Sequence, residues 1–141
     1  MRRGVPGLVW TVALAVALLL SAHLAQAQQT HLLVIVGLGG EPVYTDRFHE
    51  WATSLIGAAT ERYGVRADNV TYLGETVDIA PALIADRSTK DNVAAAIEAI
   101  ADRAAPADHV AIVFFGHGSF TDVARVNLPG RDPSADDFAQ L

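Results

Sequence analysis

The residue whose type and surroundings best suit chemistry is His117, which lies between Gly116 and Gly118 directly after an apolar run. An imidazole exchanges protons near neutral pH, so it can serve as a general acid or base. The flanking glycines carry no side chains, and a reacting group can therefore approach the ring closely. A structural histidine in a strand-ending turn fits the same pattern, and the residues alone leave both interpretations open.

The other histidines and the glycine cluster predict neither a metal nor a cofactor. His31 and His109 lie at strand starts, the end of a sheet opposite to the one where ligands bind, and His49 is expected on a helix surface. No metal-ligand spacing such as HExxH occurs in the sequence. The glycine-rich segment 37–40 lacks the third glycine of a dinucleotide-binding loop.

Three apolar runs predict the strands of one sheet. Residues 31–36 form a continuous run that leads into glycines, as expected of a strand buried on both faces of a parallel sheet. Residues 69–73 predict a short second strand. Residues 109–115 form the most apolar run and predict a third strand that delivers His117.

Two amphipathic helices are predicted between these strands. Apolar residues recur every three or four positions from about 46 to 63, and Gly64 stands where a C-terminal cap belongs. A second helix is expected to begin after a cap at Ser88 or Thr89 and to end before Pro106. Residues 74–86 contain a proline and are expected to form a loop.

Alternation of strands and helices predicts an α/β domain with right-handed parallel crossovers and three α/β/α layers. If the third strand lies on the far side of the first from the second, in the order 2-1-3, the chain changes direction between strands one and three. Ligands bind at such a point, so one crevice is expected to contain Gly39, Gly40, Arg47 and His117. Secondary candidates for substrate contacts are Asp46, Ser119 and Asp122. Aspartates 122 and 132 also suit ordinary turns.

Residues 1–27 predict a cleavable secretory signal peptide. Arg2 and Arg3 form a positive n-region, an apolar core runs from Leu8 to Leu20, and residues 25–27 supply the small-x-small pattern that signal peptidase accepts. The core is shorter than the roughly 18 residues that span a bilayer, which favours cleavage over a membrane anchor. We therefore expect a secreted or periplasmic protein that begins near Gln28 and has no membrane association after cleavage.

Charge and cysteine content restrict the possible partners. The leader contains two of the ten Lys and Arg residues and none of the sixteen Asp and Glu residues, so its removal lowers the formal charge from -6 to -8. Such an acidic chain is not expected to bind nucleic acid, whose phosphates require a basic face. Since the sequence contains no cysteine, stability must come from an ordinary hydrophobic core.

The last residues predict a helix that the sequence does not complete. Ser134 and Asp137 have the spacing of a capping pair, and Phe138 and Leu141 begin an apolar stripe. A helix of less than two turns cannot hold its shape alone. We therefore expect residues 28–141 to be the N-terminal portion of a domain that continues with at least one further strand.

The order of these motifs resembles the caspase-like cysteine peptidases, and among them most closely the legumain-type peptidases and their transamidase relatives. In that branch a glycine loop with a tyrosine–arginine element precedes a Gly-x-x-x-x-Asn-Val strand, a Thr-x-x-Asn helix, Asp-His-Val and a catalytic His-Gly. The matching segments cover residues 30–141 and are Gly37–Gly40 with Tyr44–Arg47, Gly64–Val70, Thr89–Asn92, Ala107–Val110 and Gly116–Gly118.

The resemblance implies a role for individual residues. His117 corresponds to the imidazole that activates a thiol, and Gly118 to a backbone donor near the oxyanion. Arg47 corresponds to the arginine at the floor of the specificity pocket, where it meets a polar or acidic side chain of a peptide or protein substrate. The asparagine that orients the histidine in the family falls at Thr45, which is a departure from the pattern. Gly39, Gly40 and Ser119 are expected to contact substrate.

The family's nucleophile, a cysteine after a fourth strand, is absent from the 141 residues, so this chain alone is expected to be inactive. If the nucleophile follows Leu141, the protein is a thiol endopeptidase that acts by acyl transfer. If another residue stands there, the protein is a noncatalytic relative that binds peptides. Residues 115–119 also resemble the His-Gly oxyanion segment of α/β-hydrolases, which implies an esterase with a later serine elbow. The oligomeric state stays open.

Overall fold

The computed structural model describes residues 28–140, so the predicted signal peptide lies outside the described residues. In chain order the elements are β1 (Thr30–Val36), α1 (Pro42–Glu61), β2 (Val70–Gly74), β3 (Asp86–Arg87), α2 (Lys90–Arg103), β4 (His109–Phe115), β5 (Gly118–Phe120), β6 (Ala124–Val126) and α3 (Ala135–Phe138). Two 3₁₀ turns, Ala67–Asn69 and Val77–Ile79, lie before and after β2.

Four of the strands form one parallel sheet in the order β3-β2-β1-β4. β1 pairs with β4 along its whole length and with β2 over Leu32–Ile35. The prediction of an α/β domain with a parallel sheet is confirmed, as is the order 2-1-3 for the predicted strands, here β2-β1-β4. The structure adds β3, which pairs with the end of β2 inside the segment that was predicted to be a loop.

α1 and α2 cover opposite faces of this sheet, and β1 lies between them. Side chains alternate along a strand, so Leu32, Val34 and Val36 pack with α1, whereas Leu33 and Ile35 pack with α2. All five side chains are buried. The continuous apolar run of β1 follows from this double burial, which leaves no solvent-facing position for a polar residue.

α1 begins at Pro42, four residues before the start that apolar spacing predicted. Proline suits the first helical position because its missing N–H would have no partner there. Val43 and Tyr44 in this first turn are exposed, so the core-facing periodicity does not include them. Gly64 follows the helix in the left-handed conformation, with φ of 68°, as its predicted capping position requires.

α2 begins after Thr89, whose Oγ1 accepts a hydrogen bond from the Asn92 amide at 3.2 Å. The capping residue is therefore Thr89 and not Ser88. Ser88 is buried, and its hydroxyl donates to the Val36 carbonyl oxygen at 2.5 Å. That bond ties the start of α2 to the carboxyl end of β1.

Asp108 ties the amino ends of β1 and β4 together. Its carboxylate accepts hydrogen bonds from the amides of Gln29 and Ala105, at 2.8 and 2.9 Å, and lies 3.3 Å from Nε2 of the buried His31. The Gln29 amide first, and then the Ala105 amide, hold the pKa of Asp108 below its usual value. His31 and Asp108 thus stabilise the end of the sheet opposite the predicted crevice.

The short helix α3 begins with the predicted capping pair. Ser134 and Asp137 exchange hydrogen bonds as a capping box. The Lys90 ammonium group donates to Asp137 at 2.5 Å and holds the pKa of that carboxyl well below its usual range. Phe138 meets Phe114 of β4 edge to face, with ring centroids 5.4 Å apart. These contacts hold α3 on the side of the sheet that α2 covers.

β4 is an edge strand among the described elements, although its run is the most apolar. α2 packs on β1 and β2, and it leaves one face of β4 uncovered. On that face Val110, Ile112 and Phe114 are 50%, 41% and 37% exposed.

Within residues 28–140, no helix combines the length and apolar character needed to cross a bilayer.

Candidate functional site

The carboxyl ends of β1 and β4 meet at a cluster of glycines. The Gly37 amide donates to the Phe115 carbonyl oxygen at 2.9 Å. A Cβ at Gly116 would lie 3.4 Å from the Gly37 backbone, and a Cβ at Gly37 would overlap the carbonyl oxygen of Asn127. Glycine is required here because three backbone segments approach one another closely.

The His117 imidazole packs against the first turns of α1. Its ring centroid lies 4.9 Å from that of Tyr44 and 5.1 Å from that of Phe48, and both contacts are edge to face. Tyr44 and Phe48 are four residues apart and therefore share one face of the helix. Phe48 is buried and His117 is exposed, so the aromatic rings support the imidazole from one side and solvent reaches it from the other.

Arg47 lies on the part of α1 that faces His117. It follows Tyr44 by three residues and directly precedes Phe48, and both of these residues contact the imidazole. Arg47 and its neighbour Asp46 are exposed. The structure therefore brings the helical turn that contains Arg47 to the histidine.

Glu75, which sequence reasoning missed, holds the glycine loop and the start of α1. Its Oε2 accepts hydrogen bonds from the Gly39 amide at 3.2 Å and from the Thr45 hydroxyl at 2.9 Å. The Thr45 hydroxyl is thus bonded to Glu75. Gly39 is buried, whereas Gly40 is exposed with φ of 75°. The available signal for Glu75 was its place directly after a predicted strand.

The hairpin β5–β6 follows His117 and contains Gly118 and Ser119. Ser119 is exposed and lies opposite Arg125. Val126 donates its amide to the Pro133 carbonyl oxygen at 3.0 Å, on the side away from β5. The pair Gly118–Val126 is therefore a non-hydrogen-bonded pair, and the Gly118 N–H is directed away from β6. That direction suits a donor to a bound group.

Asn127, which no sequence motif singled out, joins the segments that follow β1 and β4. Its amide donates to the His117 carbonyl oxygen at 3.0 Å, and its own carbonyl oxygen accepts from the Leu38 amide at 2.9 Å. The side-chain Oδ1 of Asn127 is buried and, within the described residues, has no hydrogen-bond partner. Asn127 belongs to no motif and reaches the crevice only because the hairpin returns the chain to it.

The two aspartates of this region act as turn residues. The Asp122 carboxylate accepts from the Thr121 hydroxyl at 2.8 Å and from the Val123 amide at 2.9 Å, at the hairpin tip. The Asp132 carboxylate accepts from the Leu128 amide at 3.0 Å. Both carboxylates fix local backbone, as turn aspartates commonly do.

His49 does not lie on an open helix surface, and that prediction is wrong. α1 packs this residue against β2, where Nδ1 lies 2.9 Å from the Tyr72 hydroxyl and the two rings stack 5.9 Å apart. Burial raises the pKa of Tyr72 to about 12. Among residues 28–140, no group of three or more His, Asp or Glu side chains is arranged to hold a metal ion.

Comparisons with family models, with curated proteins and with solved structures gave no match to this chain. Its function is therefore inferred from the chemistry of the residues around His117.

Proposed function

We propose that this chain forms the histidine-bearing part of a secreted caspase-like cysteine endopeptidase, closest to the legumain type. The observation that carries the proposal is the position of His117 beside the open edge of β4. The carboxyl ends of parallel strands meet at one edge of a sheet. A further strand paired in parallel with β4 would therefore end next to His117, where a nucleophile from beyond Leu141 is needed.

The open edge offers such a strand apolar surface on both faces. On the α2 side, Phe114, Val126 and Phe138 line an apolar cleft of about 310 Å³. On the α1 side, Trp51 is 47% exposed and its ring lies 6.2 Å from that of Phe115. Full burial of one large apolar side chain contributes about 1.5–3 kcal/mol, so covering these rings would favour strand addition.

In the proposed reaction, His117 accepts the proton of the cysteine thiol, and the thiolate attacks the scissile carbonyl carbon. The Gly118 N–H, which is directed away from β6, donates to the oxyanion of the tetrahedral intermediate. Collapse of the intermediate breaks the C–N bond, and the leaving amine takes the proton from the imidazolium. Water, deprotonated by His117, then hydrolyses the thioester and restores the thiol.

Substrate recognition is proposed for the residues that surround the imidazole. Arg47 is exposed beside Tyr44 and Phe48, and a guanidinium binds carboxylate or amide oxygens of a substrate side chain well. Gly40 and Ser119 are exposed, and we propose that both contact the substrate backbone. Since the Gly39 amide already donates to Glu75, we assign Gly39 to shaping the loop.

The test is cleavage of a peptide library by the complete secreted product, with His117→Ala and His109→Ala as matched variants. His109 begins β4, at the end opposite to the one that His117 follows, and its Nε2 lies 2.9 Å from the Gln28 side-chain nitrogen. We expect His117→Ala to lower the cleavage rate by about 10²–10⁴-fold and His109→Ala to retain it. Equal rates for wild type and His117→Ala would remove His117 from the mechanism.

One observation favours the noncatalytic alternative. The Thr45 hydroxyl, at the position of the family's orienting asparagine, donates to Glu75 and so does not support the imidazole as that asparagine does. Peptide binding without cleavage by the complete product would establish this alternative. Hydrolysis of esters without cleavage of peptides would instead indicate the esterase.

A further inference from the structure

An imidazole that acts as a base needs an acceptor for one of its N–H groups, because that bond fixes the tautomer and the ring orientation. The residue expected to provide such support, Thr45, is bonded to Glu75. The support for His117 must therefore come from another element of the crevice. The hairpin β5–β6 supplies a residue in the right place.

Asn127 lies directly opposite His117. The antiparallel register pairs Gly118 with Val126, and the bond from the Asn127 amide to the His117 carbonyl oxygen continues it by one residue. Side chains of directly opposed residues in an antiparallel pair share one face, with Cβ atoms about 4.5–5.5 Å apart. The imidazole and the carboxamide are thus neighbours across the hairpin.

Packing places both side chains on the same face independently of the register. Val126 packs with the core cluster on the α2 side, so the next residue, Asn127, faces the α1 side. The His117 ring contacts Tyr44 and Phe48, which belong to α1. Both side chains therefore lie on the α1 side of the sheet.

The carboxamide of Asn127 also has unused hydrogen-bonding capacity. Its Oδ1 is buried without a hydrogen-bond partner in the described part of the chain, whereas nearly all buried polar atoms in proteins are paired. An imidazole N–H from the opposing residue is a donor that can reach it. Contacts of this kind are often loose in a free enzyme and tighten when substrate binds.

We propose that Asn127 is a positioning residue, whose Oδ1 accepts one imidazole N–H of His117. The bond leaves the lone pair of the other ring nitrogen to take the proton of the nucleophile. Its catalytic meaning rests on the proposed peptidase function, whereas the orientation of the ring does not.

The orientation is tested by nitrogen NMR of the mature protein labelled at histidine, which reports the tautomer of each ring. The variants are Asn127→Ala, Asn127→Asp and the control Asn92→Ala, whose side chain donates to the Arg87 carbonyl oxygen far from the crevice. Asn127 bonds His117 and Leu38 through its backbone, so substitution retains those links. If Asn127→Ala does not fold, Asn127→Leu keeps the side-chain shape without the acceptor.

We expect one His117 tautomer to dominate in wild type, Asn127→Asp and Asn92→Ala, and both tautomers to coexist in Asn127→Ala or Asn127→Leu. Unchanged tautomer populations in the variant that lacks the acceptor would overturn the proposal. Trp51, the only tryptophan left after removal of the leader, reports folding by its fluorescence.

The kinetic test uses the complete product and separates this proposal from the peptidase assignment. Asn127→Ala should lower kcat by roughly 10–100-fold, which is a part of the 10²–10⁴-fold that general acid–base catalysis contributes. KM should change little. Asn127→Asp should have a kcat between those of Asn127→Ala and wild type, because it keeps an acceptor oxygen. An active enzyme with unchanged kcat in Asn127→Ala would refute the positioning role alone. A tautomer change in a protein without peptidase activity would support ring orientation by Asn127 and refute the peptidase.

Discussion

Replacement of Gly39 by alanine should weaken the attachment of the glycine loop to α1. A Cβ at this position would lie 2.8 Å from the Thr45 Cα and 2.5 Å from the Thr45 backbone nitrogen. Both are backbone atoms at the start of α1 and cannot rotate away as a flexible side chain could. The loop must therefore move, and Glu75 loses its bond to the Gly39 amide or to the Thr45 hydroxyl.

The size of the effect follows from these two losses. Overpacking costs typically about 1–3 kcal/mol, and a hydrogen bond to a charged group contributes about 1.5–3 kcal/mol. Because the loop can relieve the overpacking by giving up one hydrogen bond, or keep the bond and remain overpacked, we expect the free energy of unfolding to fall by about 1–3 kcal/mol. Gly57→Ala is the matched control, since its Cβ would meet nothing within 4 Å. In the interior of α1 this change should stabilise by about 0.5–1 kcal/mol.

The assay is urea denaturation of residues 28–141, followed by the fluorescence of Trp51. Opposite signs for the two glycine-to-alanine changes would support the geometry of the loop. A Gly39→Ala protein as stable as wild type, measured beside a stabilised Gly57→Ala protein, would show that the loop does not pack on Thr45 as described.

Two further predictions concern the core and the open edge. Burial raises the pKa of Tyr72 from 10.0 to about 12, so its stabilisation is complete below pH 10 and is lost as pH rises through 12. Between pH 10 and pH 12, the urea midpoint should fall less in Tyr72→Phe than in the control Tyr63→Phe, since Tyr63 is 80% exposed. An equal fall of the midpoint with pH in both variants would contradict this prediction. Ile112→Lys, on the open face of β4, should change the free energy of unfolding of residues 28–141 by less than about 0.5 kcal/mol. Strong destabilisation by Ile112→Lys would mean that this face is covered.

The sequence predicted the parts of the fold in which one residue pattern has one dominant cause. β1 is a continuous apolar run because both of its faces are buried. A cap for α2 was expected at Ser88 or Thr89, and Thr89 provides it because its hydroxyl satisfies an amide of the first turn. The first turn of α1 gave no periodic signal, since Val43 and Tyr44 do not face the core. β3 was missed because two residues are too few to show any period.

The candidate site was predicted only in part. His117 was found because it follows an apolar strand between two glycines, and Arg47 because Tyr44–Arg47 resembles the tyrosine–arginine element of the legumain-type peptidases. Glu75 and Asn127 owe their positions to hydrogen bonds with residues distant in the chain, and no local pattern encodes such contacts. His49 was misjudged for the same reason, because only the packing of α1 on β2 decides that its ring meets Tyr72.

The handedness of the crossovers gives the proposed further strand a definite route. The chain moves from β1 to β2 through α1 on one face, and from β3 across β2 and β1 to β4 through α2 on the other. Since parallel crossovers are right-handed, every move in the direction from β1 towards β4 must use the α2 face. Phe138 of α3 packs in the cluster on that face and against Phe114. A segment that leaves α3 can thus reach the outer edge of β4 by a right-handed crossover, and its strand would end beside His117. A connection on the α1 face would have required the rare left-handed crossover and would have counted against the peptidase.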